Sequence, residues 1–221
     1  MKLNVNEVFL NYKITGEGSP VILLHGNNED SSIFDVTAEL LKDSYQVYQV
    51  DSRKHGSSSF DCKLSYLEMA NDIICFIEEL KIKSPIIYGF SDGGIIGFYI
   101  AIKRPDLIKS LVISGVNYKV SGIKFRVLFN IFLRNLFIKN EYLTLMLKEP
   151  NIDPILISQI SLETVLIVGE KDVIKKSHTI KLNNLIKGSR LIIKKGENHH
   201  SYVVNTDKLY YTLIDIFKSF N

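Results

Sequence analysis

Short apolar runs alternate with longer amphipathic runs along this chain, and the alternation constrains the fold more than any other feature. The longer runs carry apolar residues three and four positions apart, as helices do. Strand-length runs occupy residues 8–15, 20–26, 45–52, 85–90, 110–115, 164–169 and 190–196, and helix-length runs occupy about 31–43, 65–82, 92–104, 175–187 and 206–219. Strands that alternate with helices form parallel sheets, so we expect an α/β fold with a mostly parallel central sheet and helices on both faces.

Length and composition are compatible with one globular core. The chain has 221 residues, of which 46% are hydrophobic and 23% charged, so we expect a single domain over residues 1–221. Its 27 basic and 24 acidic residues are spread along the chain without a basic block, and we therefore expect no nucleic-acid partner. The most apolar stretch, residues 127–138, is shorter than the ~20 residues needed to cross a bilayer, so no membrane span is predicted.

The N-terminal stretch and the cysteines predict a cytoplasmic location. The polar residues Asn4, Asn6 and Glu7 stand where a signal peptide has its apolar segment. Cys62 and Cys75 are too few for a disulfide framework and lack C-x-x-C spacing, so we expect reduced thiols.

A serine framed by glycines stands where a predicted strand meets a predicted helix. The stretch "GFSDG" matches G-x-S-x-G, with Ser91 between Gly89 and Gly93. A sharp turn there strains the serine backbone and leaves no room for a Cβ at the flanking positions. Such a turn would lift the Ser91 hydroxyl above the sheet and aim the helix N-terminus at it. If the motif stood alone, a glycine-rich packing turn with an incidental serine would be the favoured interpretation.

A serine nucleophile needs a base, and the base needs an orienting acid. In a parallel sheet, such residues are expected just after the carboxyl ends of the strands. Asp172 follows the strand-length run 164–169, and His199 and His200 follow the run 190–196, which gives the chain order Ser, Asp, His. Glu170 is a neighbouring acid that could substitute for Asp172.

Together these landmarks resemble the α/β-hydrolase superfamily. The resemblance covers nearly the whole chain, through "VILLHG", "DSRKHGSS", "GFSDGG", "RPDLIKSLVISG", "LIVGEKD" and the histidine segment. It implies that Ser91 is the nucleophile, Asp172 the acid, and His199 or His200 the general base. It also implies an oxyanion hole made by the backbone N–H groups of Asn27 and Asp92.

The adjacent histidines cannot both be the base, because neighbouring side chains point in different directions. The family more often has a glycine before its histidine, and the small Asn198 stands in that position relative to His199. We therefore predict His199 as the base and keep His200 as the alternative. The resemblance gives His25 and the turn "DSRKHGSS" structural roles, with Asp51 and Arg53 tying down the turn.

Three further expectations concern residues outside the predicted triad. His55 is expected to be a loop residue rather than a ligand, and His178 a surface residue of a helix. Residues 116–160 fall where the family inserts a lid, here a short helical one. The phenylalanines of this segment could line an apolar acyl pocket, although ordinary core packing is an alternative: Phe125, Phe129, Phe132 and Phe137. A membrane-surface or dimer role for the same helix is a further alternative.

These residues predict a serine hydrolase that cleaves a small or medium carboxylic ester, thioester or related acyl substrate through an acyl-enzyme. The expected partner is a small-molecule acyl substrate, and we expect no cofactor and no metal. One alternative is another reaction at the same site, either carbon–carbon bond hydrolysis or perhydrolysis. The other is a non-catalytic binding module of the same fold, because fold alone does not fix function.

Overall fold

A computed structural model describes residues 1–220 of the chain. Eight strands form one sheet in the order β1-β2-β4-β3-β5-β6-β7-β8. Their bounds are β1 Lys2–Val5, β2 Val8–Thr15, β3 Ser19–Leu24, β4 Tyr45–Val50, β5 Ile86–Phe90, β6 Ser110–Ser114, β7 Glu163–Gly169 and β8 Arg190–Lys194. The β1–β2 and β2–β4 pairs are antiparallel, and every other pair is parallel. The predicted α/β fold with a mostly parallel sheet is confirmed.

Helices cover both faces of the sheet. Their bounds are α1 Asp35–Leu41, α2 Tyr66–Glu79, α3 Asp92–Lys103, α4 Phe125–Ile138, α5 Glu141–Lys148, α6 Pro154–Ser158, α7 Lys176–Leu185 and α8 Asp207–Lys218. Alternate side chains of a strand point to opposite faces. In β5, Ile87 packs in the core under α2 and α3, whereas Tyr88 packs in the core under α1 and α8. Within the described residues, no helix is both long enough and apolar enough to cross a membrane.

The edge strand β1 is the element that the sequence did not predict. Of its four residues, only Val5 is fully buried, so the strand lacks the run of apolar residues that marks the others. It pairs with β2 through a tight hairpin in which Asn6 and Glu7 both have positive φ, at 46° and 64°. Pairing with the neighbouring strand, rather than an apolar pattern of its own, places this segment in the sheet.

The loop after β4 is held from both sides by buried charged groups. The Asp51 carboxylate accepts hydrogen bonds from the backbone N–H groups of Ser31 and Ser57, each at 2.9 Å. Arg53 makes a two-pronged ion pair with Asp72 of α2, with both N···O distances at 2.6 Å. Asp51 and Arg53 thus hold the turn in place, as the sequence predicted.

Two buried histidines join this loop to the loop after β3. His25 Nε2 accepts the backbone N–H of Ser52 at 3.0 Å, and His55 Nε2 accepts that of Asn28 at 3.2 Å. In each ring, Nδ1–H donates to a backbone carbonyl. Both rings are therefore neutral, and burial lowers the pKa of His25 to about 4. The two histidines are structural in this arrangement.

Breaking the buried ion pair should destabilise the fold strongly. The Arg53 and Asp72 side chains are only 5% and 1% exposed. Asp72→Ala leaves a buried guanidinium without its partner, and we expect the free energy of unfolding to fall by about 3–5 kcal/mol. The matched control is Asp106→Ala, which breaks the ion pair between Asp106 and Arg104. This pair is at the surface, and the Asp106 side chain is 63% exposed. It should lose less than about 1 kcal/mol. Urea denaturation measures both, and equal losses would contradict the expectation.

Candidate active site

Ser91 lies on a strained turn between β5 and α3. Its backbone has φ 52° and ψ −112°, a conformation that costs free energy for any residue other than glycine. The turn passes so close to β3 that a Cβ at Gly93 would overlap the carbonyl of Leu24, and a Cβ at Gly89 would overlap that of Gly93. The two glycines of the motif are therefore required by close packing around the serine.

A hydrogen-bonded chain links Ser91 to residues that follow β7 and β8. His199 Nε2 lies 3.1 Å from Ser91 Oγ, and His199 Nδ1 lies 2.8 Å from Asp172 Oδ1. Asp172 is acceptor-only when ionised, so Nδ1 carries the proton and Nε2 is free to accept the Ser91 hydroxyl. Gly115, with φ +59°, approaches the ring so closely that a Cβ there would lie 2.7 Å from His199 Cε1.

The Asp172 carboxylate is buried and is satisfied by hydrogen bonds. Besides His199, it accepts the backbone N–H groups of Ile174 at 2.9 Å and Gly169 at 3.4 Å. Burial by itself raises the pKa of the carboxyl. The hydrogen bond and charge of His199 and the two backbone donors outweigh burial, so the pKa lies below its ordinary value. Asp172 is therefore ionised at neutral pH.

His200 points away from this chain of hydrogen bonds. Its side chain is 58% exposed, and its Nε2 lies 3.6 Å from Glu29 Oε1. Glu170, the other acid at the β7 end, is exposed and accepts the backbone N–H of Gly196. The structure thus brings together Ser91, Asp172 and His199, and it leaves His200 and Glu170 outside the group.

The loops that carry Asn27 and Asp92 lie side by side. Asn27 Nδ2 donates to Asp92 Oδ2 at 2.8 Å, which joins the loop after β3 to the turn at Ser91. Within residues 1–220, neither the backbone N–H of Asn27 nor that of Asp92 donates to a protein acceptor. Both donors thus remain available to an oxygen atom bound beside Ser91.

A cavity of about 200 Å³ opens onto Ser91 and His199. Its apolar wall includes Ile123, Val127 and Met146. Three carboxyl groups also line it, from Glu29, Asp92 and Glu149, and its lining includes no lysine or arginine. Sequence reasoning missed Glu29 and Glu149. The only feature of the sequence that pointed to Glu29 was its place in the "HGNNED" segment. No local pattern pointed to Glu149, which the packing of α5 brings to the cavity.

Burial raises the pKa values of two of these carboxyl groups. The pKa of Glu29 rises to about 7, although the backbone N–H of Gly26 and the nearby His199 counteract burial. The pKa of Asp92 rises to about 6, against hydrogen bonds from Asn27 and Tyr66. The charge of the cavity therefore changes within the physiological pH range.

Two expectations about side chains are wrong. The α4 phenylalanines do not line the cavity: they are exposed to solvent, because Val127, Leu128 and Ile131 occupy the inner face of the helix. His178 is half-buried, whereas a freely exposed surface residue was expected. Its ring stacks on Tyr118 at 4.5 Å between ring centroids, and its Nε2 accepts the Tyr118 backbone N–H.

Comparison with known proteins identifies relatives of several activities. An sn-1-specific diacylglycerol lipase of Xenopus laevis is 33% identical over 97 residues, which are 43% of this chain and 31% of the lipase. A karrikin insensitive 2 receptor of Petunia hybrida is 36% identical over 108 residues, which are 46% of this chain and 40% of the receptor. The matched stretches thus span well under two thirds of these relatives.

A solved structure matches over the whole length of the chain. The meta-cleavage product hydrolase of Pseudomonas fluorescens superposes with a TM-score of 0.82 and 20% identity, covering 100% of this chain and 98% of that protein. At this identity, the likeness shows the fold alone. The family profile described as alpha/beta hydrolase fold matches residues 19–136, more than half of the sequence. The chain belongs to the alpha/beta hydrolase fold family.

Proposed function

We propose that this protein is a serine hydrolase that cleaves a small or medium carboxylic ester, thioester or related acyl substrate through an acyl-enzyme. The observation that carries the proposal is the chain of hydrogen bonds from Asp172 through His199 to Ser91, at the floor of a cavity. Both links are short enough for proton transfer, and the ring is in the tautomer that such transfer needs.

In the proposed reaction, Ser91 Oγ attacks the acyl carbonyl while His199 Nε2 takes the hydroxyl proton. The imidazolium is stabilised by the Asp172 carboxylate and returns the proton to the leaving alcohol or thiol. A water molecule, deprotonated by His199, then attacks the acyl-enzyme. His199 returns this proton to Ser91 Oγ as the acyl–oxygen bond breaks and the acid leaves. The backbone N–H groups of Asn27 and Asp92 are proposed to receive the oxyanion in both steps.

We assign residues 116–160 to a lid within one domain that covers residues 1–221. Ile123, Val127, Met146 and Glu149 of this segment line the cavity that opens onto Ser91, which supports the assignment. The cavity is small, and one of its walls is apolar, so a short or medium acyl chain fits it better than a long one.

The alternative functions have less support. For carbon–carbon bond hydrolysis, the likeness to the meta-cleavage product hydrolase lends no more than the shared fold, because the two chains are 20% identical. The receptor named among the relatives leaves room for a binding role of the same fold. A binding module has no need of a serine hydroxyl in contact with an oriented imidazole, and we therefore favour catalysis.

Removing the proposed nucleophile should abolish turnover without unfolding the protein. We expect Ser91→Ala to lower the rate of p-nitrophenyl butyrate hydrolysis by at least ~10³-fold, because no other group replaces the attacking oxygen. The control is Ser121→Ala, an exposed serine of the lid that should keep full activity. A fluorophosphonate probe should label the unmodified protein and the control but not Ser91→Ala. Equal turnover by both variants would refute the proposal.

The two histidines provide a second test because they differ by one position and contact different groups. We expect His199→Ala to lose activity by about 10³-fold or more, while His200→Ala keeps most of it. Both variants are measured with the same ester, and circular dichroism checks the fold. If His200→Ala were inactive and His199→Ala were active, His200 would be the base instead.

The carboxyl groups of the cavity should select against anionic acyl groups. At pH ~8 we expect kcat/KM to be about tenfold higher for p-nitrophenyl butyrate than for the anionic mono-p-nitrophenyl succinate. This factor corresponds to repulsion between one substrate carboxylate and one carboxylate of a partly buried site. Glu29 is protonated below its pKa of about 7 and ionised above it. The ratio should therefore fall as the pH is lowered to ~5.

Glu29→Gln isolates the contribution of this carboxyl. The amide keeps an oxygen that can accept the Gly26 N–H but cannot ionise. We expect a smaller ratio at pH ~8 and a weaker dependence on pH. Taking the ratio at each pH cancels any effect of pH that acts equally on both esters. If the variant and the unmodified protein gave the same ratio at every pH, Glu29 would not be the cause of the selection against the anionic ester.

A further inference from the structure

Helix α4 has an inner face that is packed and an outer face that is not. Val127, Leu128 and Asn135 are half-buried and Ile131 is fully buried, at the spacing of one side of a helix. The opposite side carries large apolar residues that are between 38% and 74% exposed: Phe125, Phe129, Phe132, Leu133 and Leu136. We call these five residues the outer apolar face. An exposed apolar group of this size on one helix indicates an interaction surface.

The charged residues of α4 and of the positions that flank it all have one sign. Arg126, Asn130 and Arg134 fall four residues apart and form a polar stripe between the outer apolar face and the packed inner face. Lys124 and Lys139 flank the helix at its two ends, and residues 124–139 contain no acidic residue. In the part of the chain that the structure describes, none of these four basic side chains forms a salt bridge.

We propose that the outer apolar face of α4 binds the surface of an anionic phospholipid bilayer. The helix lies in the plane of the surface, the five apolar side chains enter the boundary between headgroups and acyl chains, and the flanking basic side chains contact lipid phosphates. This orientation requires apolar and basic side chains next to each other along the helix, and α4 has both. The apolar strip consists of phenylalanine and leucine alone, which need no hydrogen-bonding partner and suit a hydrocarbon environment.

A second copy of the chain fits this face less well. A two-fold dimer pairs the same surface with itself, and antiparallel copies of α4 bring Arg126 of one chain close to Arg134 of the other. Four like charges then face each other without an acid from the helix to neutralise them. An anionic bilayer supplies the opposite charge along the whole length of the stripe.

The helix that carries the outer apolar face also forms part of the cavity wall, through its inner face. Val127 belongs to the inner face of α4, Ile123 lies two residues before the helix begins, and both line the cavity that opens onto Ser91. A protein docked through the outer apolar face would thus have this part of the cavity wall one helix diameter, ~10 Å, from the bilayer surface. The binding itself does not depend on turnover, so its test stands apart from that of the hydrolase proposal.

Vesicle flotation of the purified chain tests the proposal. We expect binding to vesicles of phosphatidylcholine with phosphatidylglycerol, weaker binding to phosphatidylcholine alone, and a loss of binding as salt is raised. The variant Phe129→Ser/Leu136→Ser removes apolar contacts, and Arg126→Glu/Arg134→Glu reverses the charge of the stripe. Each basic side chain near an anionic surface contributes about fivefold, so we expect at least a ~tenfold loss for the charge variant.

Matched control variants make the same chemical changes elsewhere. Ile155→Ser/Ile180→Ser replaces two exposed apolar residues, one of α6 and one of α7. Lys181→Glu/Lys187→Glu makes the same change in net charge as the stripe variant. Both controls should bind as the unmodified chain does. No binding by the unmodified chain, or equal losses in the controls, would overturn the proposal. A dimer in sedimentation that Phe129→Ser/Leu136→Ser dissociates, with no vesicle binding, would assign the face to a second copy.

Discussion

The contact between the Ser91 turn and strand β3 is the constraint on which the site depends. The turn lies against the backbone of Leu24, so the positions of β3 and β5 in the sheet also fix the distance between Ser91 and the loop that carries Asn27. Parallel strands bring all their carboxyl ends to one edge, where β7 and β8 deliver Asp172 and His199. The strained serine conformation persists because the packing around it allows no other.

Sequence patterns identified most of this architecture because the local and global signals agree. The glycines around Ser91, the apolar run of β5 and the polar residues after β7 each point to the same sheet edge. The edge strand β1 escaped prediction since its position comes from pairing with β2. The side chains of α4 were assigned to the wrong environment because the helix is apolar on two faces, and periodicity cannot tell which face meets the protein.

The carboxyl groups of the cavity show another limit of sequence reasoning. Glu29 and Glu149 are more than a hundred positions apart, and only the packing of the segment after α5 brings them to the same cavity. Their effect on the site also depends on burial, which a sequence does not state. The raised pKa of Glu29 is a property of its surroundings, since the same residue in an exposed loop would be ionised throughout the neutral range.

The close approach of Gly115 to His199 makes the site vulnerable from a position that carries no functional group. The imidazole occupies the space that a single methyl group at residue 115 would need, and the positive φ there already disfavours any side chain. Alanine at this position would force the ring away from Asp172, although Ser91, Asp172 and His199 would all still be present. A relative of this protein could therefore lose activity through a substitution at this position alone. A check for the serine, aspartate and histidine in its sequence would not detect that loss.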